Sequence, residues 1–186
     1  MVESLSPRIG VYTGSFDPIT LGHMSVIQRA SRLFDQLVIG VGINTDKAPL
    51  FTPEERVLLL RKVLRKQKNV SVKTFDGLAV TFVRSCGSRI MVRGVRPLTD
   101  IAGEFTMMMA NRQLDSDIET IFLMSDEETS HVSSSLIKQI VPLSDNVMLE
   151  KFVPREIIAP LRKKMARSLL TASNPADQKV HRETAV

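Results

Sequence analysis

Short apolar runs alternate with longer amphipathic segments along most of the chain. Five of these runs, rich in β-branched residues, predict strands over residues 8–14, 36–43, 70–75, 89–93 and 120–124. The other segments place apolar residues at helical spacing and predict helices over residues 22–34, 52–67, 78–86, 98–114, 133–141 and 154–170. This alternation is typical of an α/β fold, and we expect a Rossmann-like five-stranded parallel sheet with helices on both faces.

Local signals mark the ends of two predicted helices. Thr52 can cap the helix that follows it, Pro53 suits the first helical position, and Glu55 completes a capping box. Gly87 follows the helix over residues 78–86 and is expected to end it. These signals depend only on neighbouring residues, so they are independent of the hydrophobic pattern.

Length and composition predict one domain. The chain has 186 residues, of which 43% are hydrophobic and 24% are charged, and these are ordinary proportions for a globular protein. We expect a single domain over residues 1–170. Residues 171–186 are small and polar with balanced charge, and we expect this tail to be disordered.

Cysteine usage and charge restrict the compartment and the partners. The single cysteine, Cys86, excludes an intrachain disulfide framework and is expected to be an inert buried thiol. The chain has no apolar run of membrane-spanning length and no secretory signal, so we expect a cytoplasmic protein that binds no membrane. The formal charge of +5 suits polyanions, but with one tyrosine and no tryptophan, small phosphates fit better than nucleic acid.

The densest polar cluster follows the first predicted strand. It runs from Thr13 to His23, between a strand end and a helix start. Gly14 allows a tight turn and the close approach of a phosphate, and Ser15 offers a hydroxyl and a backbone N–H. His23 lies in the first helical turn, where free N–H groups attract anions. The structural alternative is an ordinary loop with His23 as a cap.

A second cluster lies at the end of the fourth predicted strand. Arg93 and Arg96 flank Gly94, so two guanidinium groups could clamp phosphate oxygens beside an accessible backbone. An R-G-x-R sequence elsewhere could equally be a solvated surface. Its position at a strand end favours a binding role, because ligands of open α/β sheets bind at the carboxyl ends of the strands.

A third cluster follows the fifth predicted strand and opens a helix. Ser133, Ser134 and Ser135 offer hydroxyls and free amides for a polyphosphate, and His131 lies just before them. The alternative is a helix cap, for which serine is a common choice. Since strands one, four and five all end in anion-binding residue types, the three clusters together predict one phosphate site.

Three further features have structural alternatives. Lys47, in the loop after the second strand, could bind a phosphate or simply be a solvated charge. Gly40 and Gly42 lie inside a strand and are expected to serve packing, and the chain has no P-loop motif. Met107–Met109 are expected to lie in the core or in a contact between subunits.

The motifs together resemble a known family. The segment from Gly14 to His23, with Arg93-Gly94-x-Arg96 and the three serines, resembles the nucleotidyltransferases of the H-x-G-H superfamily, with Thr20 where many members carry the first histidine. The T-x-G-H form and the segment from Lys47 to Arg56 are similar to the phosphopantetheine adenylyltransferase family of bacteria. The resemblance spans about residues 8–165.

The resemblance implies a reaction, a metal and an assembly. The family joins ATP to 4′-phosphopantetheine and forms dephospho-coenzyme A and pyrophosphate, one step before coenzyme A itself. Mg²⁺ accompanies the triphosphate without a dedicated protein cage. The family assembles as homohexamers, and coenzyme A is a further candidate ligand.

The resemblance also implies roles for individual residues. His23 is the transition-state stabiliser. The phosphopantetheine-binding residues are Ser15, Lys47, Ala79 and Arg93. The ATP-binding residues are Ser15, Phe16, His23, Gly94, Val95, Arg96, Glu104, Thr129, Ser130, His131, Val132, Ser133, Ser134 and Ser135.

Three other functions compete with this interpretation. A related nucleotidyltransferase could act on nicotinamide mononucleotide or glycerol phosphate, but the T-x-G-H form and the Lys47 segment argue against it. A regulatory module could bind nucleotides without catalysis. Against it, the expected binding residues are all in place: Ser15, His23, Lys47 and Arg93. The third alternative is a basic protein that binds nucleic acid.

Overall fold

The computed structural model describes residues 5–43, 49–95 and 101–172, with side chains described up to residue 168. Within these ranges the strands are Ser6–Gly14 (β1), Gln36–Gly42 (β2), Val70–Phe75 (β3), Ser88–Val95 (β4) and Glu119–Met124 (β5). They pair in parallel in the order β3-β2-β1-β4-β5. The predicted five-stranded parallel sheet is therefore confirmed, with strand ends that differ by no more than two residues.

Seven helices are found in the described residues. They are Leu21–Leu33 (α1), Pro53–Val63 (α2), Ala79–Ser85 (α3), Ile101–Leu114 (α4), Ser134–Ile140 (α5), Asn146–Leu149 (α6) and Arg155–Ala172 (α7). Short 3₁₀ turns cover Glu127–Thr129 and Val141–Leu143. The sequence predicted neither these turns nor α6, because such short elements carry no periodic pattern. Residues 98–100, the predicted start of α4, lie outside the described ranges.

The helix after Thr52 begins where the sequence predicts and ends early. The Thr52 hydroxyl accepts the Glu55 N–H at 3.3 Å, and the Glu55 carboxylate accepts the Thr52 N–H at 2.8 Å. The capping box is thus confirmed. The predicted end at Gln67 is wrong, because the Gln67 N–H donates to the Leu64 carbonyl at 2.8 Å and closes a turn toward β3.

The two faces of the sheet are covered by different helices. Successive strand residues point to opposite faces, so Val11 enters one core cluster and Tyr12 the other. The larger cluster receives buried side chains from α1, α2, α5 and α7, and the smaller one from α3. A Cβ at Gly40 would lie 2.4 Å from the Phe82 ring, so the predicted packing role of this glycine is confirmed.

Two side-chain predictions need correction. Cys86 is half-buried rather than buried, although burial raises the pKa of its thiol and so keeps it protonated at neutral pH. Met107 and Met109 are 54% and 44% exposed, so the core alternative for these residues is wrong. No helix among the described residues is long and apolar enough to cross a membrane.

Candidate active site

A cleft of about 270 Å³ opens at the carboxyl ends of the central strands. β1 pairs with β2 on one side and with β4 on the other. From β1 the strands are added on one side up to β3, and β4 and β5 are then added on the other side, so the strand order reverses between β1 and β4. Open α/β sheets bind ligands at such a switch point. The described residues that line the cleft are Tyr12, Thr13, Gly14, Ser15, Thr20, Gly22, His23, Val26, Arg93, Gly94, Glu104, Ser125, Thr129, Val132, Ser133, Ser134 and Ser135.

The cleft brings all three predicted clusters together. Among the predicted site residues, those that line it are Ser15, His23, Arg93, Gly94, Glu104, Thr129, Val132, Ser133, Ser134 and Ser135. Those that are described but lie outside its lining are Phe16, Ala79, Val95, Ser130 and His131. Lys47 and Arg96 lie outside the described residues.

The Phe16 side chain is turned into the core. It is 1% exposed, and its ring packs edge-on against Tyr12 and His23 with centroid distances of 5.2 and 5.1 Å. Its backbone has φ of 49°, which costs a non-glycine residue about 1–3 kcal/mol and persists only where the surroundings enforce it. Any contact of Phe16 with a nucleotide must therefore come from its backbone.

Val95 and His131 also lie outside the lining of the cleft. Val95 is 4% exposed because it belongs to the buried end of β4. The His131 ring packs edge-on near Phe152, with a centroid distance of 6.1 Å. Sequence position places these residues beside the site, but the direction of each side chain depends on packing that the sequence does not reveal.

Thr20 fixes the ring of His23. Thr20 caps α1, and its backbone N–H donates to His23 Nδ1 at 3.1 Å, while its hydroxyl lies 3.0 Å from the same nitrogen. Because Nδ1 accepts a hydrogen bond, the proton of the neutral ring is assigned to Nε2. The cap of the helix thus sets which nitrogen of His23 can donate.

Glycine at position 22 allows two segments to meet. A Cβ there would lie 3.2 Å from the Thr129 carbonyl oxygen and 3.5 Å from that of Val132. We call residues 13–20 the first wall of the cleft and residues 125–135 the second wall. A side chain at Gly22 would separate the second wall from the first turn of α1.

The three serines of the second wall have different partners. The Ser133 hydroxyl caps α5 by accepting the Leu136 N–H at 3.0 Å, and its own proton can still be donated. The Ser134 hydroxyl donates to the Pro18 carbonyl at 2.8 Å, so it ties α5 to the first wall. Ser135 is exposed at the cleft. The hydroxyls of Ser133 and Ser134 therefore line the site and also hold α5 in position.

Arg93 and Glu104, predicted to bind different substrates, bind each other. Two guanidinium nitrogens of Arg93 donate to the two Glu104 oxygens at 2.7 and 2.6 Å, and a third donates to the Thr13 carbonyl at 2.8 Å. Burial alone would lower the pKa of Arg93, but the hydrogen bonds and charge of Glu104 outweigh it and raise that pKa. Arg93 is therefore a fixed cation.

The described lining carries no net charge, since Arg93 and Glu104 are its charged members besides the titratable His23. Two polyanions need more positive charge than this. The additional cations predicted by the sequence, Lys47 and Arg96, lie outside the described ranges. No group of three or more His, Cys, Asp or Glu side chains suited to a metal ion occurs in the described part.

Several residues that build the site were not predicted. Tyr12, Thr13 and Ser125 line the cleft without belonging to a predicted binding set. Arg56 is 3% exposed and donates to the Ser15 carbonyl at 2.8 Å and the Gly42 carbonyl at 3.2 Å. The sequence contains a signal for the burial of Arg56, because this charged residue lies on the face of α2 that otherwise carries apolar residues.

Comparison with known proteins identifies the family. Residues 11–140 match the family model described as cytidylyltransferase-like. A phosphopantetheine adenylyltransferase of Rhodopirellula baltica is 67% identical over 163 residues, which cover 87% of this chain and 91% of that protein. One from Lachnoclostridium phytofermentans is 46% identical over 151 residues, which cover 81% of this chain and 91% of that protein.

Solved structures support the fold. A nicotinic acid mononucleotide adenylyltransferase of Plasmodium falciparum, complexed with NaAD, has a TM-score of 0.63 and 13% identity, covering 89% of this chain and 98% of its own. A putative nicotinate-nucleotide adenylyltransferase of Vibrio parahaemolyticus has a TM-score of 0.58 and 16% identity, covering 82% and 97%. At these identities the likeness concerns the fold alone. The identities to the first two relatives and the family match show that the chain belongs to the phosphopantetheine adenylyltransferases, a family of nucleotidyltransferases.

Proposed function

We propose that this chain transfers the adenylyl group of ATP to 4′-phosphopantetheine and forms dephospho-coenzyme A and pyrophosphate. The observation that carries the proposal is one cleft that joins His23, with its ring fixed by Thr20, to Ser15, Arg93 and the second wall. The substrate names come from the relatives, and the cleft supplies a hydrogen-bond donor in His23 and a fixed cation in Arg93. A single unpaired cysteine fits a reducing compartment, so we place the reaction in the cytoplasm.

The reaction needs positioning more than covalent chemistry. A phosphate oxygen of phosphopantetheine attacks the α-phosphorus of ATP in line, and the bond to the bridging oxygen of the leaving pyrophosphate breaks. The attacking phosphate is already ionised at neutral pH, so no general base is required. Catalysis of such a step rests on alignment of the reactants and on stabilisation of the charge that develops.

His23 has the geometry of a donor to that charge. Its Nδ1 is occupied by the Thr20 N–H, so Nε2 carries the proton that can be donated to a phosphoryl oxygen. The Phe16 ring packs against one side of the imidazole and limits its rotation. In this arrangement His23 supplies a hydrogen bond to the α-phosphate without changing its own protonation state.

We assign the two substrates to different parts of the cleft. The phosphopantetheine phosphate is assigned to Ser15, Arg93 and Lys47, with Ala79 beside the pantetheine arm. ATP is assigned to the second wall together with His23, Gly94, Arg96 and Glu104. Support for the division comes from Arg93, which donates to the first-wall carbonyl of Thr13 and so lies on the side of Ser15.

Mg²⁺ fits the site only as a companion of the triphosphate. Glu104 is the carboxylate among the described lining residues, and both of its oxygens are engaged by Arg93. Mg²⁺ commonly keeps several waters and binds through substrate phosphates plus few protein oxygens. When bound with ATP it neutralises part of the phosphate charge, while the residues of this chain orient the two substrates.

We also propose that the chain assembles into the homohexamer implied by its family. α4 has one buried side chain in the described structure, Asn111, although much of its sequence is apolar. Ile101, Phe105, Met107 and Met109 are each about half exposed, and Phe122 and Met124 lie on the neighbouring edge strand β5. An apolar surface of this kind favours contact between subunits. Light scattering on the wild type and a Phe105→Glu variant tests this assembly.

Pyrophosphate release tests the reaction. The protein is incubated with ATP and Mg²⁺, together with phosphopantetheine in one series and nicotinamide mononucleotide in the other. We expect pyrophosphate and dephospho-coenzyme A in the first series and background release in the second. Release with nicotinamide mononucleotide would assign the chain to a different nucleotidyltransferase reaction, and no release in either series would leave a binding function alone.

A further inference from the structure

Asp17 is a buried carboxylate that does not line the cleft. It is 6% exposed and lies two residues after Ser15. Its Oδ1 accepts the Phe51 N–H at 2.8 Å, and its Oδ2 accepts the Leu50 N–H at 2.8 Å and Lys138 Nζ at 2.6 Å. A buried carboxylate is costly unless its oxygens are satisfied in this way. These donors come from two segments that are far apart in the sequence.

One segment leads back to Ser15. Leu50 and Phe51 immediately precede α2, and Arg56 on that helix donates to the Ser15 carbonyl at 2.8 Å. The Arg56 side chain also donates to the carbonyl of Gly42, at the end of β2. The entry to α2 therefore holds the first wall at two points, at Asp17 through the Leu50 and Phe51 N–H groups and at Ser15 through Arg56.

The other segment is α5, which carries the serines of the second wall. Ser134 and Lys138 are four residues apart, so they lie on the same helix face. Ser134 donates to the Pro18 carbonyl at 2.8 Å, and Lys138 donates to Asp17. Both links join α5 to adjacent residues of the first wall. The Lys138 side chain is 34% exposed, so its charge is placed at the edge of the core rather than within it.

We propose that the Asp17–Lys138 ion pair couples the binding of the two substrates. Among the described residues, the pair is a charged link between the first wall, assigned to phosphopantetheine, and α5, whose first residues belong to the second wall, assigned to ATP. The inference rests on that assignment. A ligand bound to the second wall reduces the remaining motion of α5 and holds Lys138 against Asp17, and through Asp17 it also restrains the Ser15 loop. The second ligand then loses less conformational entropy when it binds beside this loop, so its affinity rises.

The proposal makes Asp17 and Lys138 positioning residues without direct ligand contact. Apolar packing alone would also hold α5, since Ile137 is fully buried in the same helix. That packing resists unfolding but is insensitive to a charge at position 138. The coupling factor, which is the ratio of the affinities for one ligand with and without the other, therefore separates a coupling role from simple support.

Titration calorimetry on the full-length protein tests the proposal. The affinity for phosphopantetheine is measured alone and with saturating Mg²⁺ and α,β-methylene-ATP, which cannot release pyrophosphate. We expect wild-type coupling of at least about fivefold, in the range common for linked sites. In Lys138→Met the factor should fall to within twofold of unity, and Lys138→Arg should restore most of it.

Lys164→Met is the matched control. Lys164 borders the same surface cavity as Lys138, but its ammonium pairs with Glu55 at 2.6 Å. This variant removes the same charge and should retain wild-type coupling. Equal losses in both variants would attribute the effect to overall charge and overturn the proposal. Melting temperatures of all variants show whether each is folded.

The proposal and the assigned reaction fail in different ways. A coupling factor near one in the wild type, or an unchanged factor in Lys138→Met, overturns the coupling while pyrophosphate release continues. Failure of the wild type to bind phosphopantetheine, together with no pyrophosphate release, overturns the reaction itself. Binding and release are measured on the same preparation, so the two results are separable.

Discussion

Residues 13–20 are buried at six of eight positions, whereas residues 125–135 on the other wall are buried at Val132 alone. The first wall receives hydrogen bonds from buried partners, above all from Arg56. The second wall is joined to the rest through few polar links, such as the Ser25 hydroxyl bond to Asp126 at 2.6 Å. This difference indicates that the first wall is shaped before substrate arrives and that the second wall adjusts to the nucleotide.

The largest expected effect concerns chemistry at His23, which Thr20 of the first wall holds in place. His23→Ala removes the donor to the α-phosphate and should lower kcat by about 10²- to 10³-fold, or roughly 3–4 kcal/mol. The affinity for ATP should change by only several-fold, because the donor acts mainly on charge in the transition state. Steady-state kinetics and ATP titration provide the two measurements.

Ser135→Ala in the second wall is the comparison for His23. We expect it to raise KM for ATP while kcat stays within tenfold of the wild type. If Ser135→Ala lowers kcat as much as His23→Ala does, the second wall takes part in the chemical step, and its assignment to ATP binding alone is wrong.

The next effect concerns stability. Arg56→Met leaves the carbonyls of Ser15 and Gly42 without their buried donor, and each such loss costs about 1–3 kcal/mol. We expect the free energy of unfolding to fall by about 2–6 kcal/mol in urea denaturation. Ser133→Ala, which removes the cap of α5 in the second wall, should cost only about 1 kcal/mol. Equal losses for the two variants contradict the contrast in rigidity.

A smaller effect is expected on the binding affinities for the two substrates. Arg93→Ala and Lys47→Ala should weaken phosphopantetheine binding by about 10- to 100-fold, or about 1.4–2.7 kcal/mol, and ATP binding by much less. Calorimetry with each ligand separates the two affinities. Lys73→Ala, an exposed charge on β3 outside the cleft lining, serves as the control for net charge. Equal losses of affinity for both ligands would contradict the assignment of Arg93 and Lys47 to phosphopantetheine.

The smallest effect is expected at the C-terminus. α7 extends to Ala172, two residues past the end predicted from the sequence. The segment from Ser173 onward has few apolar residues, which cannot offset an ordering cost of about 1–2 kcal/mol per residue. Truncation after Thr171 should leave pyrophosphate release, oligomeric state and melting temperature nearly unchanged. A drop of several degrees, or dissociation on size-exclusion chromatography, would show that the segment packs on a subunit.

The fold could be predicted because its signals are local. The capping residues Thr52 and Glu55 act within four positions, and the strand pattern repeats every two residues. The end of α2 could not be predicted, since the turn after Leu64 depends on how the chain enters β3. The exposure of Met107 was also beyond the sequence, because an apolar residue has the same pattern in a core and on a subunit surface.

The sequence predicts many of the residues that form the candidate site, but it does not predict which of them bind one another. His23, Ser15 and the serines of α5 follow from topology, because parallel strands end at one edge. The pairing of Arg93 with Glu104, across eleven residues, requires the three-dimensional structure. Asp17 and Arg56 lie within the two motif segments, but the sequence predicts no role for either, since their partners lie far away in the sequence.

The cap at Thr20 has a consequence for protein engineering. Aspartate is as good a helix cap as threonine, so a design that considers stability alone would accept Thr20→Asp. A carboxylate beside Nδ1 would draw the proton of His23 onto that nitrogen, and Nε2 would then face the phosphates as an acceptor. Position 20 therefore couples helix stability to proton placement, and a search for thermostable variants must exclude a carboxylate there.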